Sequence, residues 1–199
     1  MQSFESRDPT AAEFWSERFA QKFTPWDRGG VPEALRQCVT RAPRPYVTLI
    51  PGCGTAYEVA YLSASGWDVT AIDFSPEAVE SARAMLGRWG ERVVQADFFN
   101  FVPRRPVELI YERAFLCALP RRLWSAVAAR WATLLAPGGL LAGFFYFDDA
   151  PKGPPFGIGP AELETLLSPH FERIADDAVT DSVPVFAGKE RWQVWRRRA

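Results

Sequence analysis

The stretch Val47-Thr-Leu-Ile-Pro-Gly-Cys-Gly54 and the later stretch Val69-Thr-Ala-Ile-Asp73 decide the fold of this 199-residue chain. The first is an apolar run that ends in a glycine turn, and the second is an apolar run that ends in an acid. A buried strand, a glycine turn, a helix and a second buried strand with a terminal acid form the nucleotide-binding half of a doubly wound sheet. In such a half, the acid can accept hydrogen bonds from ribose hydroxyls.

The glycine turn lacks one part of the dinucleotide-binding pattern. Gly52 and Gly54 are followed by Thr55, Ala56 and Tyr57, so the third glycine of G-x-G-x-x-G is missing. That glycine lets the helix approach closely, so that its N-terminus can hold a pyrophosphate. S-adenosylmethionine has a ribose and an adenine but no phosphate, and it does not require this approach. The pattern favours a methyltransferase over a nicotinamide oxidoreductase, for which a suitably spaced tyrosine–lysine pair is also missing.

Composition and charge narrow the functional class further. The chain has 48% hydrophobic and 24% charged residues, and its formal net charge of -1 argues against a nucleic-acid partner. Its length predicts a single domain over residues 1–199. Cys38, Cys53 and Cys117 lack metal-type spacing, and no signal peptide or membrane-length apolar run is recognisable. We expect a cytoplasmic, monomeric protein with free thiols, no metal and no membrane association.

Helical and strand patterns alternate along the chain. Asp8-Pro9 predicts an N-cap followed by proline at the first position of a helix that ends near Gln21. Further helices are predicted at 32–41, 56–65, 75–88, 120–135 and from 160, and strands at 46–50, 68–73, 92–96, 107–111, 140–147, 171–178 and 191–198. This order predicts an α/β fold: a doubly wound, mostly parallel seven-stranded sheet of the class I methyltransferase (Rossmann-like) type with an antiparallel edge strand. Residues 1–45 would form an N-terminal helical lid over the core of residues 46–199, at the carboxyl edge of the sheet.

With these motifs the chain resembles the thiopurine methyltransferase-like family, which includes halide and thiocyanate methyltransferases. The resemblance runs nearly end to end. Its most specific marks are the aromatic spacing of Trp15, Phe19 and Pro25-Trp26, together with Gly153-Pro-Pro-Phe156. Other marks are Ile50-Pro-Gly-Cys-Gly54, Ala71-Ile-Asp73, Ala96-Asp-Phe-Phe99, Phe115-Leu-Cys-Ala118, Leu135-x-Pro-Gly-Gly139 and Gly188-Lys-Glu190. The resemblance implies an enzyme that uses S-adenosylmethionine and releases S-adenosylhomocysteine.

The resemblance also implies a set of cofactor contacts. Asp73 would accept both ribose hydroxyls in charge-assisted hydrogen bonds. Gly52 and Gly54 would let the backbone approach the methionine part. Asp97 and Phe98 would meet the adenine, the first through its carboxylate and the second through its backbone N–H. The full predicted cofactor set is Trp15, Phe19, Trp26, Pro51, Gly52, Cys53, Gly54, Asp73, Phe74, Asp97, Phe98 and Arg113.

Some of these assignments have a structural alternative. Asp73 could instead cap the helix that begins near Ser75, because aspartate is a common N-cap. Trp15 and Phe19 could form an apolar helix face that packs on the sheet. Trp26 lies in a polar loop rich in proline and glycine, where a core role is less expected. For the three aromatics, the resemblance implies closure over the cofactor.

The predicted acceptor-side residues are Trp26, Arg113, Tyr146, Phe156 and Arg191. Arg113 follows the fourth strand, where the resembled family has an arginine in thiopurine enzymes and often a tyrosine in halide enzymes. It would lie near the cofactor carboxylate or an anionic acceptor. The alternative is a surface ion pair with the neighbouring Glu112.

We expect a small-molecule acceptor with a soft nucleophilic atom: a thiol or thiopurine, a halide, thiocyanate or a chalcogen anion. Such an acceptor needs orientation and desolvation rather than proton removal. His170 is the only histidine and is not expected to act as a base, and Cys53 and Cys117 are expected to be small apolar fillers. Tyr111-Glu-Arg-Ala114 stands where nitrogen methyltransferases resemble one another in an Asn/Asp-Pro-Pro-Tyr motif, which disfavours nitrogen methylation.

Two alternative functions stay open. The first is an oxygen or nitrogen methyltransferase on a metabolite, with Asp148 or Asp149 as its base. The second is a non-catalytic protein that binds S-adenosylmethionine without turnover.

Overall fold

Alternating strands and helices form a twisted sheet covered on both faces in the computed structural model, which describes residues 4–150 and 152–199. The strands are β1 Val47–Pro51, β2 Asp68–Asp73, β3 Val93–Gln95, β4 Val107–Arg113, β5 Leu135–Tyr146, β6 Phe171–Ala178 and β7 Glu190–Arg197. The helices are α1 Ala12–Ala20, α2 Glu33–Arg41, α3 Tyr57–Ala64, α4 Pro76–Leu86, α5 Trp124–Leu134 and α6 Pro160–Leu167. Three short 3-10 segments are Gly87–Arg92, Leu116–Ala118 and Arg121–Leu123.

The sheet has the predicted mixed topology. Within the described residues it has seven strands in the order β3-β2-β1-β4-β5-β7-β6. β1 to β5 pair in parallel, whereas β7 runs antiparallel between β5 and β6. The prediction of a doubly wound, mostly parallel sheet with antiparallel pairing at one edge is therefore confirmed. The carboxyl ends of β1, β2 and β4 meet at one edge, where such sheets bind ligands.

Two apolar layers lie on opposite faces of the sheet, because successive side chains of a strand point to opposite sides. Leu49, Ile72 and Ile110 face α5 and α6, where Trp131 and Leu167 are fully buried. The other face packs against the helices α2, α3 and α4 through Ile50, Val69, Leu109, Leu35, Val59 and Val79. None of the helices in the described ranges combines the length and the apolar content needed to cross a bilayer.

The first helix begins later than predicted. α1 starts at Ala12, and Ala11 is its N-cap. Asp8 Oδ1 accepts hydrogen bonds from the Thr10 amide at 2.9 Å and the Thr10 hydroxyl at 2.7 Å. Because the Asp8 side chain binds Thr10, it stabilises a turn before the helix and does not cap the helix itself.

The Pro-Gly-Gly segment lies between the predicted helix 120–135 and the predicted strand 140–147, but the structure places it inside a strand. α5 ends at Leu134, but β5 begins at once, because Leu135 pairs with Val107. Residues 136–139 then leave the ladder, and pairing resumes between Leu109 and Leu140. The segment is thus an irregularity inside β5 and not only a stop for the preceding helix.

Gly143 of β5 provides a test of the packing between β4 and β5. A Cβ atom there would lie 2.0 Å from the Glu112 carbonyl oxygen, whereas a Cβ on Gly30 would meet nothing within 4 Å. We expect Gly143→Ala to lower the free energy of unfolding by roughly 3 kcal/mol or more, because two backbones would have to separate. Gly30→Ala, the matched control, should change it by less than about 0.5 kcal/mol. Equal urea midpoints for the two variants would contradict this packing.

Candidate functional site

A cavity of about 930 Å³ opens at the carboxyl edge of the sheet. Its size is at the upper end of the range for small-molecule sites, about 300–1,000 Å³. The ends of β1, β2 and β4, the loops that follow them, and the N-terminal segment with α1 surround it. Of the predicted cofactor residues, Trp15, Phe19, Trp26, Gly52, Cys53, Gly54, Asp73, Phe74, Asp97, Phe98 and Arg113 line the cavity, and Pro51 does not.

The glycine loop after β1 forms the floor of the cavity. Gly52 and Gly54 have φ angles of +57° and +52°, in the left-handed region that favours glycine. A Cβ atom on Gly52 would lie 2.5 Å from the Phe115 ring, and one on Gly54 would lie 3.3 Å from the Phe19 ring. Both glycines therefore let the backbone lie directly beneath aromatic side chains. This leaves a cradle that a larger residue would fill.

Asp73 connects two loops at the edge of the sheet. Its Oδ2 accepts from the Gly54 amide at 3.1 Å, and its Oδ1 accepts from the Ser75 amide at 3.0 Å. Burial raises the pKa of Asp73, and these backbone donors act in the opposite direction. Ser75 is the N-cap of α4, because its hydroxyl accepts from the Ala78 amide at 3.2 Å. The alternative of Asp73 as the helix cap is therefore wrong.

The loop after β3 provides another side of the cavity. Asp97 Oδ1 accepts from the Phe99 amide at 3.0 Å, and its Oδ2 accepts from the Asn100 side-chain amide. Phe98 is buried, and its ring centroid lies 4.9 Å from that of Phe115. Asp97 and Phe98 thus lie at the cavity on a loop that its own hydrogen bonds hold in shape.

Aromatic side chains of the N-terminal segment form the wall opposite the glycine loop. The ring of Trp26 lies edge-on to Trp15 at 5.5 Å and to Phe19 at 6.2 Å between centroids. Trp15 Nε1 donates to the Pro9 carbonyl at 2.8 Å. The fully buried aromatic of α1 is Phe14, whereas Trp15 and Phe19 are half-buried and face the cavity. The apolar-face alternative therefore describes Phe14 better than the other two.

Polar contacts attach this segment to the core. The Thr55 hydroxyl, next to the glycine loop, donates to Asp27 Oδ2 at 2.8 Å. Arg28 forms an ion pair with Asp181 at 2.9 Å, and Asp181 Oδ2 also accepts from the Glu33 amide at 3.1 Å. The loop that carries Trp26 is thus held at both the β1 and the β6 side of the cavity.

Arg113 lies in a buried ion pair, but not with the predicted neighbour. Its guanidinium donates to Glu190 Oε2 of β7 at 2.9 Å and lies 4.4 Å from the centroid of the Phe144 ring. Its side chain is 13% exposed and that of Glu190 is 3% exposed. The alternative of a surface pair with Glu112 is therefore wrong. The charge of Arg113 is largely balanced before any ligand binds.

Glu112 has a structural role beneath the cavity. Its Oε1 accepts from the amides of Phe115 and Leu116, both at 2.9 Å, while its buried Oε2 has no partner among the described residues. Burial raises the pKa of Glu112 to about 7, although the two amides act in the opposite direction. Glu112 therefore fixes the segment 115–118, three residues of which line the cavity.

The other predicted acceptor residues lie elsewhere. Among the described residues, Tyr146, Phe156 and Arg191 are not part of the cavity lining. The Tyr146 hydroxyl donates to Asp148 Oδ2 at 2.5 Å, and Arg191 is paired with Asp176 on β6. Phe156 packs against the core on the α5 and α6 side of the sheet. From the same loop as Phe156, Gly153, Pro154 and Pro155 line the cavity instead.

The groups considered as bases are not in the cavity lining either. Asp148 accepts from Lys189 Nζ at 2.7 Å as well as from Tyr146, and these contacts hold the pKa of Asp148 well below its usual range. Asp149 is exposed. His170 precedes β6 at the opposite edge of the sheet, where its carbonyl accepts from the backbone of Arg198.

Many lining residues were not predicted, and among them Tyr111 and Glu58 form a buried polar pair. Tyr111, at the end of β4, donates its hydroxyl to Glu58 Oε1 at 3.3 Å. Both are buried, at 0% and 8% exposure. A sequence signal for Glu58 exists, because a glutamate in the first turn after a glycine loop lies at the ligand-binding edge. Tyr111 carries no such signal, since tyrosine is common in buried strands.

A family model described as thiopurine S-methyltransferase matches residues 10–198. The chain belongs to the thiopurine S-methyltransferase family. It is 30% identical over 193 residues to "Probable thiol methyltransferase 2" of Arabidopsis thaliana, with 92% of this chain and 84% of that protein covered. It is also 30% identical over 195 residues to a thiopurine S-methyltransferase of Vibrio cholerae, with 88% of each chain covered.

Solved structures with the same fold include methyltransferases. A 1,6-didemethyltoxoflavin-N1-methyltransferase of Burkholderia thailandensis, with S-adenosylhomocysteine bound, superposes with a TM-score of 0.76 at 20% identity and covers 100% of this chain. The N-methyltransferase NodS of Bradyrhizobium japonicum, also with S-adenosylhomocysteine, gives a TM-score of 0.68 at 18% identity over 93% of this chain. Membership of the family confirms the predicted enzyme class and cofactor: the protein is an S-adenosylmethionine-dependent methyltransferase.

The buried carboxyl of Glu112 predicts a pH dependence of stability. The folded protein holds the Glu112 proton up to a pKa of about 7, whereas an unfolded chain releases it near the usual 4.5. Stability is therefore lost as pH rises between these values. Glu112→Gln keeps an acceptor for both amides but does not titrate. From pH 5 to pH 8, we expect its free energy of unfolding to rise by about 2–3 kcal/mol relative to wild type.

Urea denaturation at both pH values measures this difference. The control is Glu33→Gln, which removes an exposed carboxylate from the first turn of α2. Its stability relative to wild type should vary little with pH. If the difference in free energy of unfolding between Glu112→Gln and wild type were the same at pH 5 and pH 8, the Glu112 carboxyl would be charged in the folded protein at both pH values.

Proposed function

We propose that the protein transfers the methyl group of S-adenosylmethionine to a small acceptor with a soft nucleophilic atom, foremost the sulfur of a thiol, a thiopurine or thiocyanate. Halides and chalcogen anions belong to the same chemical class. The observation that carries this proposal is an apolar wall of the cavity formed by the loops after β4, after β5 and before β7. It consists mainly of Phe115, Ala118, Leu119, Pro154, Pro155, Val185 and Phe186. The names of the relatives, thiol, thiocyanate and thiopurine methyltransferases, support the same choice.

The polar groups on this wall are already engaged. Arg113 binds Glu190, and the Tyr111 hydroxyl binds Glu58. Burial raises the pKa of the Cys117 thiol well above its usual range, so it stays neutral. Such a wall removes water from an acceptor, but it offers little help in deprotonating an alcohol. A desolvated soft anion is well suited to it.

The chemistry of a sulfur acceptor needs little from a base. A thiol with a pKa near 8.5 is partly ionised at neutral pH without any help from the protein. S-adenosylmethionine supplies a methyl group already activated on a positively charged sulfur. The acceptor sulfur forms the new S–C bond, and the electron pair of the broken bond stays on the departing sulfur, which becomes a neutral thioether. The residues of this chain bind, orient and dehydrate the two partners.

We propose cofactor roles for the lining residues as follows. Asp73 accepts the ribose hydroxyls, because a carboxylate has more lone pairs than its two present amide donors use. Asp97 and Phe98 contact the adenine from the loop after β3. Gly52 and Gly54 let the methionine part lie on the backbone. Trp15, Phe19, Trp26, Cys53, Phe74 and Arg113 complete the surroundings.

We also propose that residues 1–45 act as a lid, of which residues 1–3 lie outside the described part of the chain. This proposal rests on the contacts of Trp15, Phe19 and Trp26 with the cavity and on the bonds from Asp27 and Arg28 to the core. We further propose that the enzyme is monomeric and cytoplasmic.

Oxygen or nitrogen methylation is the second candidate. The solved structures with the same fold include N-methyltransferases, but identities of 18–20% show the fold alone. The proposed bases Asp148 and Asp149 do not line the cavity. Paired with Lys189, Asp148 is also too weak a base to accept a proton from an alcohol. The site therefore favours a nucleophile that needs no base.

A panel of acceptors tests the proposed function. Turnover with labelled S-adenosylmethionine should occur with at least one of hydrosulfide, an aromatic thiol, a thiopurine, thiocyanate or iodide. The rate should be flat with pH above the pKa of the acceptor. His170→Gln should stay within about threefold of wild type, because a positioned acid–base group would contribute roughly 10²–10⁴. Methylation of a catechol or an amine, with none of the soft nucleophiles accepted, would overturn the proposal.

The lid has its own test in Trp26. Trp26→Ala should lower kcat/KM by about tenfold or more, because loss of a wall of the cavity misplaces the reacting atoms. It should change the free energy of unfolding by no more than about 1 kcal/mol, as expected for a half-buried loop residue. Trp89→Ala is a matched control, since Trp89 is half-buried and remote from the cavity. If Trp26→Ala were fully active but as unstable as a core deletion, the lid role would be wrong.

A further inference from the structure

One buried carboxylate that lines the cavity, that of Glu58, belongs neither to the proposed cofactor contacts nor to the proposed acceptor wall. Glu58 lies in the first turn of α3, directly after the glycine loop, and its side chain lines the cavity although the residue is only 8% exposed. None of the arginine and lysine side chains in the described ranges forms an ion pair with it. The charge of Arg113 acts on Glu58 from beyond ion-pair distance, but Arg113 itself is bound to Glu190. A buried carboxylate without a directly paired cation is costly.

Glu58 also differs from the other acids that line the cavity. Asp27 accepts from the Thr55 hydroxyl and the Gly29 amide, each at 2.8 Å. Asp73 and Asp97 likewise each accept two hydrogen bonds from other residues. Glu58, by contrast, accepts one bond from another residue, the 3.3 Å bond from the neutral Tyr111 hydroxyl, besides a contact with its own amide. Among the acidic residues that line the cavity, Glu58 therefore has the most acceptor positions left for a further hydrogen-bond donor.

The position of Glu58 indicates which donor it meets. It lies between the glycine loop and the end of β4, where Tyr111 and Arg113 also line the cavity. The ribose acid Asp73 and the adenine loop with Asp97 belong to β2 and β3, on the other side of β1 in the sheet. This inference rests on the cofactor contacts proposed above: a cofactor with its adenine at Asp97 and its ribose at Asp73 extends its methionine end toward β4, on the side where Glu58 lines the cavity. That end is a zwitterion, with one carboxylate and one ammonium.

The two charges of a zwitterion need opposite partners. The amides at the start of α3 favour the carboxylate. The ammonium needs an acceptor with negative charge, and a buried carboxylate provides the strongest one. We propose that Glu58 is a cofactor-binding residue whose carboxylate receives the ammonium of the methionine part of S-adenosylmethionine. Burial raises the pKa of Glu58, and a bound ammonium would offset that effect.

Calorimetric titration with a set of ligands tests this role without any turnover. S-adenosylhomocysteine carries the ammonium, its desamino analogue 4-(adenosylthio)butanoate lacks only that group, and 5′-methylthioadenosine lacks the whole amino-acid end. Wild type should bind the desamino analogue at least tenfold more weakly than S-adenosylhomocysteine. Glu58→Gln should raise the Kd of S-adenosylhomocysteine at least tenfold, while the Kd values of the other two ligands stay within about twofold of wild type. The control, Glu33→Gln, should bind all three as wild type does.

Each other outcome contradicts the proposal. If wild type bound S-adenosylhomocysteine and the desamino analogue equally, the ammonium would contribute nothing to binding. This comparison needs only the wild-type protein, so it holds even if Glu58→Gln does not fold. If Glu58→Gln weakened 5′-methylthioadenosine as much as S-adenosylhomocysteine, the role would be structural. If it left all three affinities unchanged but removed a basic limb from the pH–rate profile, Glu58 would be a base for the acceptor. No acceptor enters these titrations, so they are independent of the proposed acceptor class.

Discussion

The buried carboxylate of Asp73 is the interaction on which the rest of the site depends. It accepts one amide from the glycine loop after β1 and another from the loop that starts α4, at 3.1 and 3.0 Å. These loops leave neighbouring parallel strands, and the Cys53 amide of the glycine loop also donates to the Ile72 carbonyl of β2 at 3.0 Å. Without the carboxylate, two buried amides would lose their partner, at a cost of about 1–3 kcal/mol each. The shape of the floor thus depends on one side chain.

Local patterns were sufficient for most of the fold. β2 and β6 have the predicted limits, because each is a continuous strand pattern between clear turn signals. The errors lie where a distant partner overrides a local signal. Leu135 has the pattern of a helix end, but it joins the sheet directly after α5 because Val107 pairs with it. Asp8 has the sequence of a helix cap, but its side chain is taken by Thr10.

The predictions of site residues also succeed where a local motif decides and fail where a distant partner does. Lining residues that belong to one loop, such as Gly54 and Asp97, could be predicted from short motifs. The partner of Arg113 could not, since Glu190 is 77 positions away and only the insertion of β7 beside β5 brings them together. Glu112 looked like the natural partner because it is adjacent, but adjacent strand residues point to opposite faces of the sheet. Placing a side chain on the correct face requires the register, which the motifs do not contain.

The position of β7 between β5 and β6 also has a consequence for how the chain folds. β6 and β7 form an antiparallel hairpin, whereas the pairing of β5 with β7 joins residues as distant as Leu140 and Arg196. The parallel core contains pairings just as distant, such as Thr48 of β1 with Leu109 of β4, so both parts of the sheet close long loops at a similar cost in chain entropy. Glu190 belongs to β7 and reaches Arg113 only when β7 inserts beside β5. A partly folded chain without this insertion would leave the Arg113 guanidinium without its carboxylate partner, so the electrostatics of the cavity are complete only once the last strand of the chain is in place.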